Sequence, residues 1–105
     1  MRAKLCSLRD LPKHGALRIE VPGVPAGAIA VVRDGAEVYA ISDECSHAEY
    51  PLSDGKVKGR RIECELHGSR FDLRTGRPDT LPAWQPVPVY PASVVDGDVY
   101  IEIEI

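Results

Sequence analysis

Residues 27–42 read GAIAVVRDGAEVYAIS: two short apolar runs, Gly27 to Arg33 and Glu37 to Ser42, with Asp34-Gly35 between them. A glycine behind an aspartate supplies the positive φ that a tight hairpin loop needs, so the stretch predicts two antiparallel strands. The same pattern extends outward. Leu17-Arg18-Ile19-Glu20-Val21 alternates apolar and polar residues, as a half-buried strand does. Val99, Ile101, Ile103 and Ile105 alternate with Tyr100, Glu102 and Glu104, a period of two with one wet face. Asp54-Gly55, Lys58-Gly59, Thr75-Gly76 and Asp96-Gly97 mark further turns. Nine prolines and nine glycines in 105 residues leave little room for long helices. Only Ser7 to Leu11 reads as a helical turn, behind a serine cap and ahead of Pro12. The pattern predicts an all-β chain of many short antiparallel strands in a small sandwich or barrel.

Residues 1–105 fit one domain, small enough that a metal staple would help it. The longest apolar run, Ala28 to Val32, is far short of the roughly 20 residues of a membrane span. No apolar stretch follows the basic Met1-Arg2-Ala3-Lys4, so no signal peptide or membrane association is expected, and the cytoplasm is the expected location. Thirteen Lys and Arg against 16 Asp and Glu give a net charge of −3, without the basic field of a nucleic-acid binder. That balance suits a partner with a basic docking face. Three widely spaced cysteines, Cys6, Cys45 and Cys64, do not make a disulfide framework. They also exclude a four-cysteine iron–sulfur site within one chain.

Two polar segments break the strand pattern, Asp43 to Pro51 and Glu63 to Arg70, and each carries a Cys and a His. The first holds Cys45-Ser46-His47; the second holds Cys64-Glu65-Leu66-His67-Gly68-Ser69, sixteen residues further on. Two of the three cysteines and two of the three histidines fall in these pairs, which predicts two facing loops at one end of the sheet. Four readings are open: two buried thiols with unrelated histidines, a tetrahedral zinc site, a Cys–His nucleophile, or a two-iron cluster with thiolates on one iron and imidazoles on the other. Zinc favours C-x2–4-C and H-x3–5-H pairs, whereas both pairs here are mixed. A nucleophile would use one pair and leave the other unexplained.

The spacing C-x-H, sixteen residues, C-x2-H resembles the Rieske [2Fe–2S] motif. Gly68-Ser69-Arg70-Phe71-Asp72 and Leu81-Pro82-Ala83-Trp84-Gln85-Pro86 resemble the second cluster loop and the proline-rich loop of that family. The resemblance covers nearly the whole chain and is nearest to soluble Rieske-type ferredoxins, including those of bacterial aromatic-ring dioxygenases. It implies an all-β fold of the Rieske type with a two-loop cluster-binding end, the cluster region spanning about residues 43–86. It implies one [2Fe–2S] cluster per chain, with Cys45 and Cys64 on the inner iron and His47 and His67 on the outer iron. In respiratory relatives a disulfide bridges the loops; Tyr50 and Leu66 stand at those positions here. Ser69 keeps a hydroxyl that the resemblance places beside the cluster sulfurs, whereas Phe71 stands where those relatives have a tyrosine. Fewer donors to sulfur imply a potential in the lower half of the Rieske range.

Other residues read more simply. Phe71 is a core residue lining the cluster. Trp84, the only tryptophan, is either an anchor under the proline-rich loop or a docking residue beside the cluster. Tyr50-Pro51 is either the rim of the first loop or a turn. Cys6 reads as a buried strand residue without a redox role, and His14, ahead of Gly15, as a solvated turn residue. Lys56, Lys58, Arg60 and Arg61 read as a solvated hairpin that could also steer a partner.

Rieske oxygenases also need a mononuclear iron on two histidines and a carboxylate. After His47 and His67 are assigned, only His14 remains, so the chain alone is not an oxygenase, and the resemblance implies an electron-transfer component that is not catalytic alone. The resemblance then implies a one-electron carrier, and a monomer is the default expectation. Its donor would be an NAD(P)H-dependent flavoprotein ferredoxin reductase, and its acceptor the terminal Rieske non-haem iron oxygenase of an aromatic-ring-hydroxylating dioxygenase. Similar chains serve iron–sulfur assembly or form the small subunit of a nitrite reductase, and these are the alternatives.

Overall fold

The computed structural model describes residues 2–46, 50–66, 68–79 and 85–103. Among the described residues ten strands follow one another: β1 (Arg2–Ser7), β2 (His14–Glu20), β3 (Ala28–Asp34), β4 (Glu37–Ser42), β5 (Val57–Lys58), β6 (Arg61–Glu63), β7 (Arg70–Asp72), β8 (Val89–Tyr90), β9 (Ala92–Val95) and β10 (Asp98–Glu102). They pair antiparallel in three sheets, ordered β1-β10-β9, β2-β3-β4-β8 and β5-β6-β7. Among the described residues no helix is long and apolar enough to cross a membrane.

β3 explains the architecture. Ala28 to Val32 are all buried, so the strand has no wet face. Ile29 and Val31 point into one apolar cluster with Leu11, Ala40, Val99 and Ile101. Ala30 and Val32 point into a second cluster with Ile41, Leu52, Val57, Ile62, Phe71, Leu73 and Val87. The period-two rule sends alternate side chains to opposite faces, and here both faces meet a sheet. The four-stranded sheet is therefore the shared middle layer of a sandwich, with β1-β10-β9 over one face and β5-β6-β7 over the other.

The expected hairpin forms as read: Asp34 pairs with Glu37 around Gly35, whose φ is +65°. The β5–β6 loop is Gly59-Arg60, with φ of +60° and +61°, and the β9–β10 loop is Asp96-Gly97 at +52° and +78°. These left-handed pairs match the twist of tight hairpins. The expected turn at Ser7 is a 3-10 turn over Leu8–Asp10, with the Ser7 N–H donating to the Asp10 carboxylate at 3.1 Å. Two further 3-10 turns are Pro25–Gly27, which starts on a proline, and Leu52–Asp54, which runs into the expected turn at Asp54-Gly55.

Two expectations are corrected. His14 opens β2 rather than sitting in a turn; it is exposed, but its Nδ1 lies 2.8 Å from Asp34, its partner in β3. Cys6 is in β1 but only half-buried, beside the register shift between Lys4 and Cys6 that turns the strand. Burial first, then Asp10 and Asp98, raises its thiol above the ordinary value.

Candidate metal centre

The first Cys/His segment leaves the middle sheet at the end of β4. Ser42 N–H donates to Pro88 O, and Asp43 N–H donates to Ala28 O. The buried Asp43 carboxylate then reaches ten residues ahead. It accepts from the Ser53 N–H at 2.7 Å and the Ser53 hydroxyl at 2.6 Å, and from Arg18 Nη1 on β2 at 3.0 Å. Three donors satisfy a charge that would otherwise be costly to bury. Inside that closure, Cys45 N–H donates to Tyr50 O at 2.9 Å. The segment ends in the 3-10 turn Leu52–Asp54, whose Leu52 is fully buried.

Gly55 seats this loop against the second. A Cβ on Gly55 would lie 1.7 Å from Glu63 O, which no side chain can tolerate. The backbones at Gly55 and at the residue before Cys64 can touch only because this position is glycine.

The second segment is a tight loop between β6 and β7. Cys64 N–H donates to Ser69 O at 2.7 Å, and Gly68 N–H, at φ +75°, donates to Cys64 O at 2.8 Å. Ile62 and Phe71, paired across the loop base, are fully buried. Glu65 and Leu66 at the tip are exposed.

The two cysteines share one apolar cluster. Cys45 is 2% exposed and Cys64 0%, and both belong to the apolar cluster that contains Leu52, Ile62 and Phe71. Neither forms a disulfide. Ser69 is likewise fully buried, and Phe71 lines the cluster as expected. Tyr50 packs half-buried against the same core from the first loop. The Glu65 carboxylate of the second loop, followed by burial, lifts its phenol above the usual value.

A third segment closes the site. Gly76, at φ +76°, has Val87 O 2.0 Å from where a Cβ would stand, and Val87 N–H donates to Gly76 O. The Ser46 hydroxyl donates to Gln85 O at 2.6 Å, linking the residue after Cys45 to the end of the proline-rich stretch. His47, His67 and Trp84 lie outside the described residues. The described residues alone assemble no group of three His, Cys, Asp or Glu side chains fit for a metal. The donor chemistry nevertheless fits a cluster. Two buried thiols belong to one apolar cluster, and each is followed within three residues by an imidazole in the sequence.

Sequence reading missed Arg18, Asp43, Ser53 and Gly55. Asp43 could have been flagged as a carboxylate set directly after a buried strand; Arg18, by contrast, is remote in sequence. The basic run forms the β5–β6 hairpin, where Lys56, Lys58 and Arg61 line an open cleft of about 530 Å³ with Glu63, Arg70 and Asp79. Arg61 pairs with Asp79, and Arg70 lies 3.7 Å from it.

Comparison with known proteins gives a consistent result. Residues 1–91 match the model of the Rieske [2Fe-2S] domain. The 3-phenylpropionate/cinnamic acid dioxygenase ferredoxin subunit of Escherichia coli is 39% identical over 103 residues, spanning 97% of this chain and 93% of that one. The ferredoxin of carbazole 1,9a-dioxygenase from Nocardioides aromaticivorans superposes with a TM-score of 0.90 at 37% identity, over 99% of both chains. A chain from the complex of reduced oxygenase and oxidized ferredoxin in carbazole 1,9a-dioxygenase gives 0.87 at 33% identity, over 98% of this chain and 97% of that one.

Proposed function

The chain belongs to the Rieske [2Fe-2S] domain family, and from that premise we propose that it is the ferredoxin of an aromatic-ring-hydroxylating dioxygenase. It carries single electrons and is not catalytic alone. The observation that carries this reading is that Cys45 and Cys64, both buried, belong to one apolar cluster, on two loops whose backbones touch at Gly55 and Glu63.

In this reading residues 1–105 form one domain with its cluster region at about 43–86. Cys45 and Cys64 would hold one iron, and His47 and His67 the other. A [2Fe–2S] cluster bound this way takes up and returns one electron at about −150 to +300 mV, because neutral imidazoles replace two thiolates. The chain's own residues do the rest. Burial keeps water from the thiolates. Phe71, Leu52 and Ile62 wall the inner side with apolar surface. The backbone bonds of Cys45 to Tyr50 and Cys64 to Ser69 hold each loop closed around its ligands. The buried Ser69 hydroxyl would be a donor to a cluster sulfur.

The acceptor is a terminal oxygenase, and the donor an NAD(P)H-dependent flavoprotein reductase. Support for the oxygenase comes from the names of the relatives, one of them solved with its oxygenase. The carrier is a monomer of the cytoplasm; three cysteines without a disulfide suit a reducing compartment. Partner complexes are small and short-lived, because a shuttle must leave after each transfer. Reconstitution tests the role. Adding the purified holoprotein to a dioxygenase's reductase and oxygenase should restore NAD(P)H-driven ring hydroxylation. If the reductase reduces this protein but no oxygenase of that class reoxidises it, the dioxygenase assignment fails.

A further inference from the structure

We infer that the Arg18–Asp43 pair positions the Cys45 thiolate and that its two charges tune the potential of the group held there. The inference rests on the cluster reading above and deepens it.

Asp43 lies two residues before Cys45, and its side chain is fully shielded from solvent. A loop could be closed at lower cost by a neutral side chain. Asparagine in its place would still accept from the Ser53 N–H. Burying a carboxylate instead needs compensation, which three hydrogen bonds provide. A charge also acts on its neighbours through its field, which a neutral group does not. Here its bonds to Ser53 fix both ends of the thiolate segment. Its own N–H, donated to Ala28 O, fixes the segment to the most buried strand of the fold. On the other flank Ser46 is fixed to Gln85 O. Cys45 is therefore held between anchored neighbours, with only Glu44 between it and Asp43.

The charges act separately from the anchoring. Adding an electron near a fixed anion is disfavoured, and near a fixed cation favoured. Asp43 is buried, whereas the Arg18 side chain is 45% exposed and partly screened, so the carboxylate dominates. The pair holds the potential down and so contributes to a low value within the Rieske range.

Three variants of the holoprotein test this: Asp43→Asn, Arg18→Gln and Ser53→Ala. Midpoint potential, iron release to a chelator and the thermal midpoint are measured for each. Asp43→Asn should raise the potential, and Arg18→Gln should lower it. Ser53→Ala removes one bond to the carboxylate. It should leave the potential near that of the unsubstituted protein and speed iron release about tenfold, the factor for one hydrogen bond to a charged group. If Asp43→Asn does not fold, the sign of the Arg18→Gln shift and the iron release of Ser53→Ala decide the matter. The inference is overturned if the potentials stay unchanged, or iron release stays unchanged, while only the thermal midpoint falls. Failure of the cluster reading itself would look different: the unsubstituted protein would contain no acid-labile sulfide.

Discussion

The Asp43 carboxylate accepts both the N–H and the hydroxyl of Ser53, at 2.7 and 2.6 Å, and so joins the two ends of the segment that carries Cys45. The first ligand loop is thus closed by a side chain in addition to its Cys45–Tyr50 backbone bond, and the second by its backbone bond from Cys64 to Ser69.

Contact between the two loops depends on a missing methyl group. Gly55→Ala would place a Cβ 1.7 Å from Glu63 O and force the loops apart. The expected loss is at least about 2 kcal/mol of stability, with iron content falling in parallel. Gly59→Ala is the control: it meets nothing within 4 Å and costs about 1 kcal/mol through its positive φ alone. Thermal melts and iron analysis of both variants check this.

The buried surroundings of the thiolates set the expected potential. Ser69 is fully buried beside Cys64, and the fully buried Phe71 offers no hydroxyl. The potential should lie in the lower half of the interval from about −150 to +300 mV. Ser69→Ala should lower it further and Phe71→Tyr should raise it, because hydrogen bonds to sulfur favour the more negative reduced state. Film voltammetry of the three proteins gives the order directly.

Much of this was legible in the sequence. The hairpin at Asp34-Gly35, the turns at Gly59 and Gly97 and the alternation through Val99 and Ile101 follow from local chemistry that each residue carries with it. The Cys/His spacing likewise pointed to one site. Asp43, Ser53 and Arg18 were not legible, because their role exists only where distant segments meet. The double-sided burial of β3 was hidden for a related reason: a continuous apolar run does not say what covers each face. His14 misled because its partner Asp34 is twenty residues away.

Asp34 gives the fold a specific acid sensitivity. Its carboxylate accepts from the Arg60 N–H at 2.9 Å and faces His14, and these contacts, the backbone bond foremost, hold it below the ordinary value. A depressed carboxylate stabilises the folded state above its unfolded value, near pH 3.9, and that contribution disappears as pH falls through the folded value. Asp34→Asn should therefore be less stable than the unsubstituted protein at neutral pH. The gap between them, in which acid effects common to both cancel, should close below about pH 4. Denaturant melts across that range measure it.

Partner docking should centre on the ligand loops. Trp84→Ala or Tyr50→Ala should slow turnover in the reconstituted system by about tenfold, while leaving the potential unchanged, as loss of an aromatic anchor does. Raising the salt concentration should weaken the complex as well. Normal turnover after Trp84→Ala would remove that residue from the interface.

The most direct test of the account is the metal content and reduced-state EPR spectrum of the anaerobically purified protein. Two irons and two acid-labile sulfides per chain, with a signal of mixed thiolate and imidazole ligation after uptake of one electron, are the predicted result. A colourless protein holding one zinc and no sulfide would contradict it.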